Sequence, residues 1–137
     1  AHNPAKMGAA WSVAREEAKR VVGVWRPHGF APLRLMWDDL LEVFSGLCSD
    51  GDCLYILPVF YAGGTTRADV NSDQLAEALQ ARGSSVQAVA GYDELETRLE
   101  AEIREGDTVM VMGARDPRLP LFARDLGDRF CGPDSQL

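Results

Sequence analysis

Lys19-Arg20-Val21-Val22-Gly23-Val24-Trp25-Arg26-Pro27-His28-Gly29-Phe30 is the stretch on which the fold turns. Two cations lead into Val21, Val22, Val24 and Trp25, a short apolar run rich in β-branched residues. Pro27 has no N–H to donate and ends any ladder there. A short continuous apolar run bounded by turn residues predicts a strand buried on both faces. Such strands belong to parallel sheets covered by helices. In open parallel sheets, ligands bind outside the carboxyl ends of the strands. Arg26, Pro27, His28 and Gly29 fall at that end of this strand.

The same pattern recurs twice downstream. Cys53-Leu54-Tyr55-Ile56-Leu57 and Thr108-Val109-Met110-Val111-Met112 are continuous apolar runs bounded by turn residues. All three predict adjacent parallel strands buried on both faces. Ser85 to Ala90, with Val86, Ala88 and Val89, predicts a weaker strand. Between these runs the apolar period changes to that of a helix. Asn3-Pro4 is a capping residue followed by proline at the first helical position, and Met7, Ala10, Trp11 and Ala14 form one face of a helix over residues 4–19. Leu33, Met36, Trp37, Leu40, Leu41, Phe44 and Leu47 predict a second helix over 33–48, with Pro32 at its start and Arg34 in its first turn. Ser49-Asp50-Gly51-Asp52 reads as a turn. Ser72-Asp73-Gln74 opens a third helix closed near Gly83. Residues 93–104 form a fourth, with Leu95, Leu99 and Ile103 inward. Residues 120–130 form a last helix, with Leu121, Phe122 and Leu126 inward. Strand and helix alternate four times after the first helix. That order implies right-handed crossovers and a mostly parallel sheet with helices on both faces.

The chain has 137 residues, within the length of one domain. It is 46% hydrophobic and 26% charged, the balance of a soluble globular protein. Its formal net charge of −7 argues against a nucleic-acid footprint, which needs a basic patch. No apolar run reaches the roughly 18–20 residues of a membrane span. Cys48, Cys53 and Cys131 fit no zinc or redox spacing and read as free thiols in a reducing cytoplasm. The abrupt Ala1-His2-Asn3-Pro4 start, without Met, predicts a domain from a longer chain.

Three loops at the predicted carboxyl edge carry the candidate chemistry: Arg26-Pro27-His28-Gly29, Phe60-Tyr61-Ala62-Gly63-Gly64 and Met112-Gly113-Ala114-Arg115. Glycine in such loops lets backbone approach a ligand, and equally it makes a tight turn. There is no GxGxxG, no GxxxxGK[ST] and no HxxxH, CxxC or HExxH, so neither a phosphate cradle nor a metal site is indicated. His28 has no convincing Ser or Cys nucleophile nearby. The residues alone stop at an α/β domain with a ligand edge near His28.

Taken in order, the loops resemble the C-terminal domain of the Mur ligases, and within that family the branch that adds L-alanine to UDP-N-acetylmuramate. The family's hinge reads Asp-Tyr-(Ala/Gly)-His-(Asn/His/Thr)-Pro, and Ala1-His2-Asn3-Pro4 is similar to its end. Trp25-Arg26-Pro27-His28 is similar to the branch's strand ending in Gln-Pro-His. Its Tyr-Pro-Ala-Gly-Glu loop is similar to residues 60–64, and its Gly-Ala-Gly to Gly113-Ala114-Arg115. The resemblance implies a Rossmann-like three-layer domain with one antiparallel edge strand. It implies that the parent forms an amide between a nucleotide-sugar carboxylate and an amino acid or peptide amine through an acyl phosphate, using ATP and Mg²⁺. The phosphate loop and magnesium ligands would belong to the parent's own central ATPase domain. His2, Asn3 and Pro4 would sit at the nucleotide edge, and Arg26, His28, Gly29 and Arg34 at the amine substrate. The alternative is a stand-alone flavodoxin-like module that holds a small anion and catalyses nothing. A degenerate relative making an amide outside peptidoglycan is the third reading. The branch's arginines after the histidine are Gly29 and Pro32 here, and its Gln is Arg26. Those departures predict an anion-binding face built from Arg34, His28 and Arg26, and an amine larger or differently charged than free L-alanine.

Overall fold

The computed structural model describes residues 3–48, 51–60, 71–113 and 118–126. The elements run α1 Pro4–Glu17, β1 Arg20–Arg26, α2 Phe30–Leu35, α3 Trp37–Leu47, β2 Cys53–Ile56, α4 Ser72–Ala81, β3 Val86–Ala88, α5 Tyr92–Glu102, β4 Asp107–Gly113 and α6 Arg118–Leu126. Four strands form one sheet in the order β3-β2-β1-β4. Every pairing is parallel. The expected three-layer α/β domain is therefore the fold, with the three strong apolar runs side by side as β2, β1 and β4. The antiparallel edge strand is not found among the described residues.

Alternation along each strand splits the core in two. Val21 and Trp25 of β1, Leu54 and Ile56 of β2 and Met112 of β4 pack against Met7 and Trp11 of α1, Leu40 and Phe44 of α3 and Leu75 and Leu79 of α4. Val22 and Val24, with Tyr55, Leu57 and Val109, pack against Leu95 and Leu99 of α5 and Leu119 and Phe122 of α6. A strand with helices on both faces has no polar side, which is why the sequence runs apolar without interruption.

The first helix lies flat on the sheet because residue 23 has no side chain. A Cβ on Gly23 would stand 2.3 Å and 2.6 Å from two ring carbons of Trp11. The Trp11 indole N–H then reaches Asp52 Oδ2 at 2.9 Å, and Asp52 Oδ1 accepts the Val21 N–H at 3.0 Å. Arg15 Nε completes the carboxylate's shell at 3.0 Å. Asp52 is 1% exposed, so the acidic turn expected over 49–52 ends in a buried anchor joining α1, β1 and β2.

A second charged cluster closes the amino edge of the sheet. Arg20 donates from Nε to Asp107 Oδ1 at 3.2 Å and from an Nη to Asp107 Oδ2 at 2.7 Å, a forked pair across β1 and β4. The same guanidinium reaches the Glu102 carbonyl at 2.7 Å and its carboxylate at 3.3 Å. Burial acts to raise the Asp107 pKa, but the hydrogen bond and charge of Arg20 and the Arg104 backbone N–H outweigh it and hold it below the usual carboxylate value. A depressed folded-state pKa gives stability that is complete above the unfolded value and lost as pH falls through the folded one. Acid unfolding of the wild type should therefore steepen below about pH 4, and Asp107→Asn should lose about 1–3 kcal/mol at neutral pH and flatten that limb. Denaturant titrations at pH 3 and pH 7 check this; an equal loss at both would sink it.

Four expectations need correction. The helix predicted over 33–48 begins at Phe30 and is broken at Met36 into α2 and α3. The Met36 N–H still bonds the Pro32 carbonyl at 3.0 Å and Leu40 N–H bonds the Met36 carbonyl at 2.8 Å, so the apolar spacing survives the break. Asp38 and Asp39 fall in the first turn of α3, where acidic residues favour a helix start. Arg34 accordingly lies in the last turn of α2, not the first turn of a long helix. Strand β4 is only partly buried, because it is the edge strand beyond β1. In α6, Leu119 and Phe122 are buried while Leu121 is 53% exposed. The buried stripe runs through residues 119 and 122, a helical turn that residue 121 does not share.

Candidate functional site at the carboxyl edge of the sheet

From β1 the chain steps outward to β2 and then β3, and it returns on the other side of β1 as β4. The connections thus diverge at β1, and the crevice outside the carboxyl ends of β1 and β4 is the switch point at which open α/β sheets bind ligands. Arg26 ends β1 there, paired in register with Gly113 of β4.

Pairing continues past the strand ends and fixes the loop. Leu57 N–H bonds the Trp25 carbonyl at 2.9 Å, Phe60 N–H the Pro27 carbonyl at 2.8 Å, and Gly29 N–H the Phe60 carbonyl at 3.0 Å. His28 and Phe60 form an isolated parallel bridge, with ring centroids 6.2 Å apart. Gly29 takes φ +83 as the N-cap of α2, so its role is backbone geometry. A side chain there, including the arginine of the resembled branch, would be strained.

Arg26 points to the α5–α6 face of the sheet. Its guanidinium carbon lies 5.6 Å from the Phe60 ring centroid and 5.6 Å from that of Tyr92. Arg118, at the start of α6, lies 4.6 Å from the Tyr92 centroid. Two guanidiniums therefore share one aromatic ring at the switch point, within the range of cation–π attraction. Tyr92 is itself set by Phe122, 5.0 Å away. His28 lies toward the other face, where it lines a cavity of about 60 Å³ with Trp25, Pro27, Pro32, Leu33 and Met36. Phe60 is the residue common to both halves.

The structure thus brings Arg26, His28 and Gly29 to one edge. Arg34 is exposed on α2 and does not line the His28 cavity. Asn3 accepts the Lys6 N–H at 3.2 Å as the cap of α1, and Pro4 is buried at the first helical position. Arg15 of α1 meets Asp52, whose other oxygen accepts the Val21 N–H at the amino end of β1, so the first turn of α1 lies toward the carboxyl edge. His2, residues 61–64 of the second loop, Ala114, Arg115 and Cys131 lie outside the described residues. Sequence reasoning missed Tyr92 and Arg118. They come from α5 and α6, and no local motif marks them.

Burial pushes the Cys48 thiol up to about 12 and the Cys53 thiol up to about 11, so neither is a thiolate at neutral pH. Among the described residues no group of three His, Cys, Asp or Glu side chains could hold a metal ion. No helix among the described residues is long and apolar enough to cross a membrane.

Comparison with known proteins joins the fold to a family. Residues 1–115 match the family model described as Mur ligase, glutamate ligase domain. The UDP-N-acetylmuramate–L-alanine ligase of Novosphingobium aromaticivorans is 37% identical over 117 residues, 84% of this chain and 24% of that protein. The enzyme of the same name from Rhizorhabdus wittichii is 36% identical over 117 residues, 84% of this chain and 24% of that protein. That from Cereibacter sphaeroides is 31% identical over 133 residues, 96% of this chain and 27% of that protein. The chain spans about a quarter of the length of the curated relatives it matches. With a parallel α/β sheet, a strand-end Pro-His turn at its switch point and a family match over most of its length, the chain belongs to the Mur ligase family, as its glutamate ligase domain.

Proposed function

We propose that this chain is the C-terminal, amine-binding domain of an ATP-dependent ligase of cell-wall precursor type. The parent would join an amino acid or peptide amine to a carboxylate of the UDP-N-acetylmuramate kind. The carboxylate is activated as an acyl phosphate at the expense of ATP, the amine nitrogen attacks the acyl carbon, and phosphate leaves. The observation that carries this reading is the Arg26-Pro27-His28 turn at the β1–β4 switch point, inside the segment matched to the family. Arg26 and Arg118 bring positive charge to the crevice where an amino acid's carboxylate or a phosphoryl oxygen would lie. His28 holds the amine substrate from the opposite half of the edge. Docking of this edge on the parent's central ATPase domain would exclude water from the acyl phosphate, which otherwise hydrolyses. Asn3 and Pro4, at the start of α1, would meet the nucleotide as that domain closes.

In the full-length parent, phosphate release should require ATP, the nucleotide-sugar carboxylate and an amine together. Omitting the amine should reduce the rate to blank. Phosphate release indifferent to both carboxylate and amine would contradict the reading. The 137-residue chain alone should release none with MgATP and any muropeptide acceptor, since its sequence carries no GxxxxGK[ST] loop to cradle the phosphates.

A further inference from the structure

We propose that the outer edge of β3 docks a short extended segment of a partner protein, one that carries a lysine or arginine opposite Ala88. Among the described residues only β2 flanks β3, so the other side of the strand offers its backbone to an added strand. The ladder fixes which groups point outward. Leu54 N–H bonds the Ser85 carbonyl and Val89 N–H bonds the Ile56 carbonyl, each at 3.0 Å. The backbone groups of residues 85, 87 and 89 therefore turn toward β2, and those of 86, 88 and 90 turn away. The two ends of the edge are closed from within. The Val86 carbonyl accepts from the Gln80 side chain at 2.7 Å, and the Ala90 N–H donates to Glu94 Oε2 at 2.7 Å. Ala88 lies between them with its N–H and C=O directed outward. In an antiparallel pair, one facing residue exchanges both bonds with it.

The open space follows the same line. A groove of about 320 Å³ lies over β3 between Asp73, Glu77 and Gln80 of α4 and Arg98 of α5. A second, of about 410 Å³, continues past Val89 and Ala90. They share Asp73 and Ala88, so together they fit an extended chain rather than a compact ligand. Ala88 packs on the α4 side of the sheet, and facing residues of a pair put their side chains on the same face. The residue opposite Ala88 thus projects past a single methyl toward α4, where Asp73 and Glu77 stand one turn apart. Both carboxylates are exposed, and neither has an ion pair among the described residues. Arg98, on the α5 side, is engaged by Gln87 and by Glu94, the latter at 3.6 Å. Two uncompensated carboxylates select a basic occupant. They also select against a second copy of this chain. Antiparallel pairing of β3 with its own copy sets α4 against α4 and brings these acids against themselves.

The test uses the full-length protein and two end-blocked, fluorescently labelled peptides, Thr-Val-Thr-Lys-Thr-Val-Thr and its counterpart with Glu in place of Lys. The lysine peptide should bind saturably by anisotropy, and the glutamate peptide should not. Asp73→Asn combined with Glu77→Gln should weaken the lysine peptide by about fivefold, the upper worth of an exposed ion pair. Ala88→Pro removes the outward N–H at an edge position where proline is tolerated, and should weaken it at least as much. The charge variant alters only exposed side chains, so it decides the matter even if the proline variant fails to fold. Deuterium exchange over residues 84–90 should slow with the lysine peptide alone. No saturable binding, equal binding of the two peptides, or binding indifferent to the charge variant overturns the proposal. A concentration-dependent dimer that Ala88→Pro dissociates in sedimentation also overturns it, because the edge then belongs to a second copy.

Discussion

Asp52→Ala should lower the stability of this chain by about 2–5 kcal/mol, since it leaves two buried donors without an acceptor at roughly 1–3 kcal/mol each. The carboxylate accepts from the Trp11 indole, the Val21 amide and the Arg15 guanidinium, and so ties α1 to β1 ahead of β2. Its removal leaves the first two donors buried without an acceptor, while Arg15, whose side chain is 40% exposed, can turn to water. Against a typical total stability of roughly 5–15 kcal/mol, that loss unfolds a large share of molecules at physiological temperature. Asp52→Asn should fall between, because its oxygen can keep the Val21 bond while its NH₂ faces the Trp11 donor. Urea titration would show the midpoint drop at unchanged slope. A loss under about 1 kcal/mol for the alanine variant would mean the cluster contributes little beyond its neighbours.

Trp11→Ala should cost a comparable amount, about 3–5 kcal/mol, by opening a large hole in the α1 side of the core. The informative result is its coupling to residue 23. In the wild type, Gly23→Ala drives a methyl into the Trp11 ring at 2.3 Å and should cost about 1–3 kcal/mol. With Trp11 truncated, the same substitution meets open space on that side and its penalty should largely vanish. The double-mutant cycle then shows an interaction of at least about 1 kcal/mol between the two sites. Additive losses would mean that Gly23 serves something other than the close approach of α1.

Both predictions concern residues that read blandly in the sequence. Asp52 sits in Ser49-Asp50-Gly51-Asp52, where composition indicates a turn. Its burial is decided by Trp11 and Arg15, far away in the chain, and no local pattern carries that information. Gly23 interrupts an apolar run without breaking it, and only the helix packed above explains it. The sheet was legible for the opposite reason. A strand covered on both faces writes its burial into every residue, so Val21–Trp25 and Cys53–Leu57 identify themselves. Thr108–Met112 carries the same pattern although β4 is an edge, because apolarity reports tolerance of burial and not the strand's rank in the sheet. At the site, Arg26 and His28 could be placed from Pro27 alone. Their partners could not: Tyr92 opens the helix that crosses from β3 to β4, and Arg118 opens the helix after β4, both far from Arg26 in the chain. The break at Met36 was hidden because α3 restarts with its apolar face aligned to α2.

The central claim is that this edge holds the amine in a ligase whose nucleotide lies mainly on another domain. The most direct measurement is steady-state kinetics of His28→Ala in the full-length parent, with each substrate varied in turn. The account predicts that KM for the amine rises roughly ten- to a hundredfold, the loss of one charge-assisted hydrogen bond, while KM for ATP and for the nucleotide-sugar carboxylate stays within about twofold of wild type. A rise in KM for ATP with the amine's KM unchanged would contradict it, and would move His28 from the amine to the nucleotide.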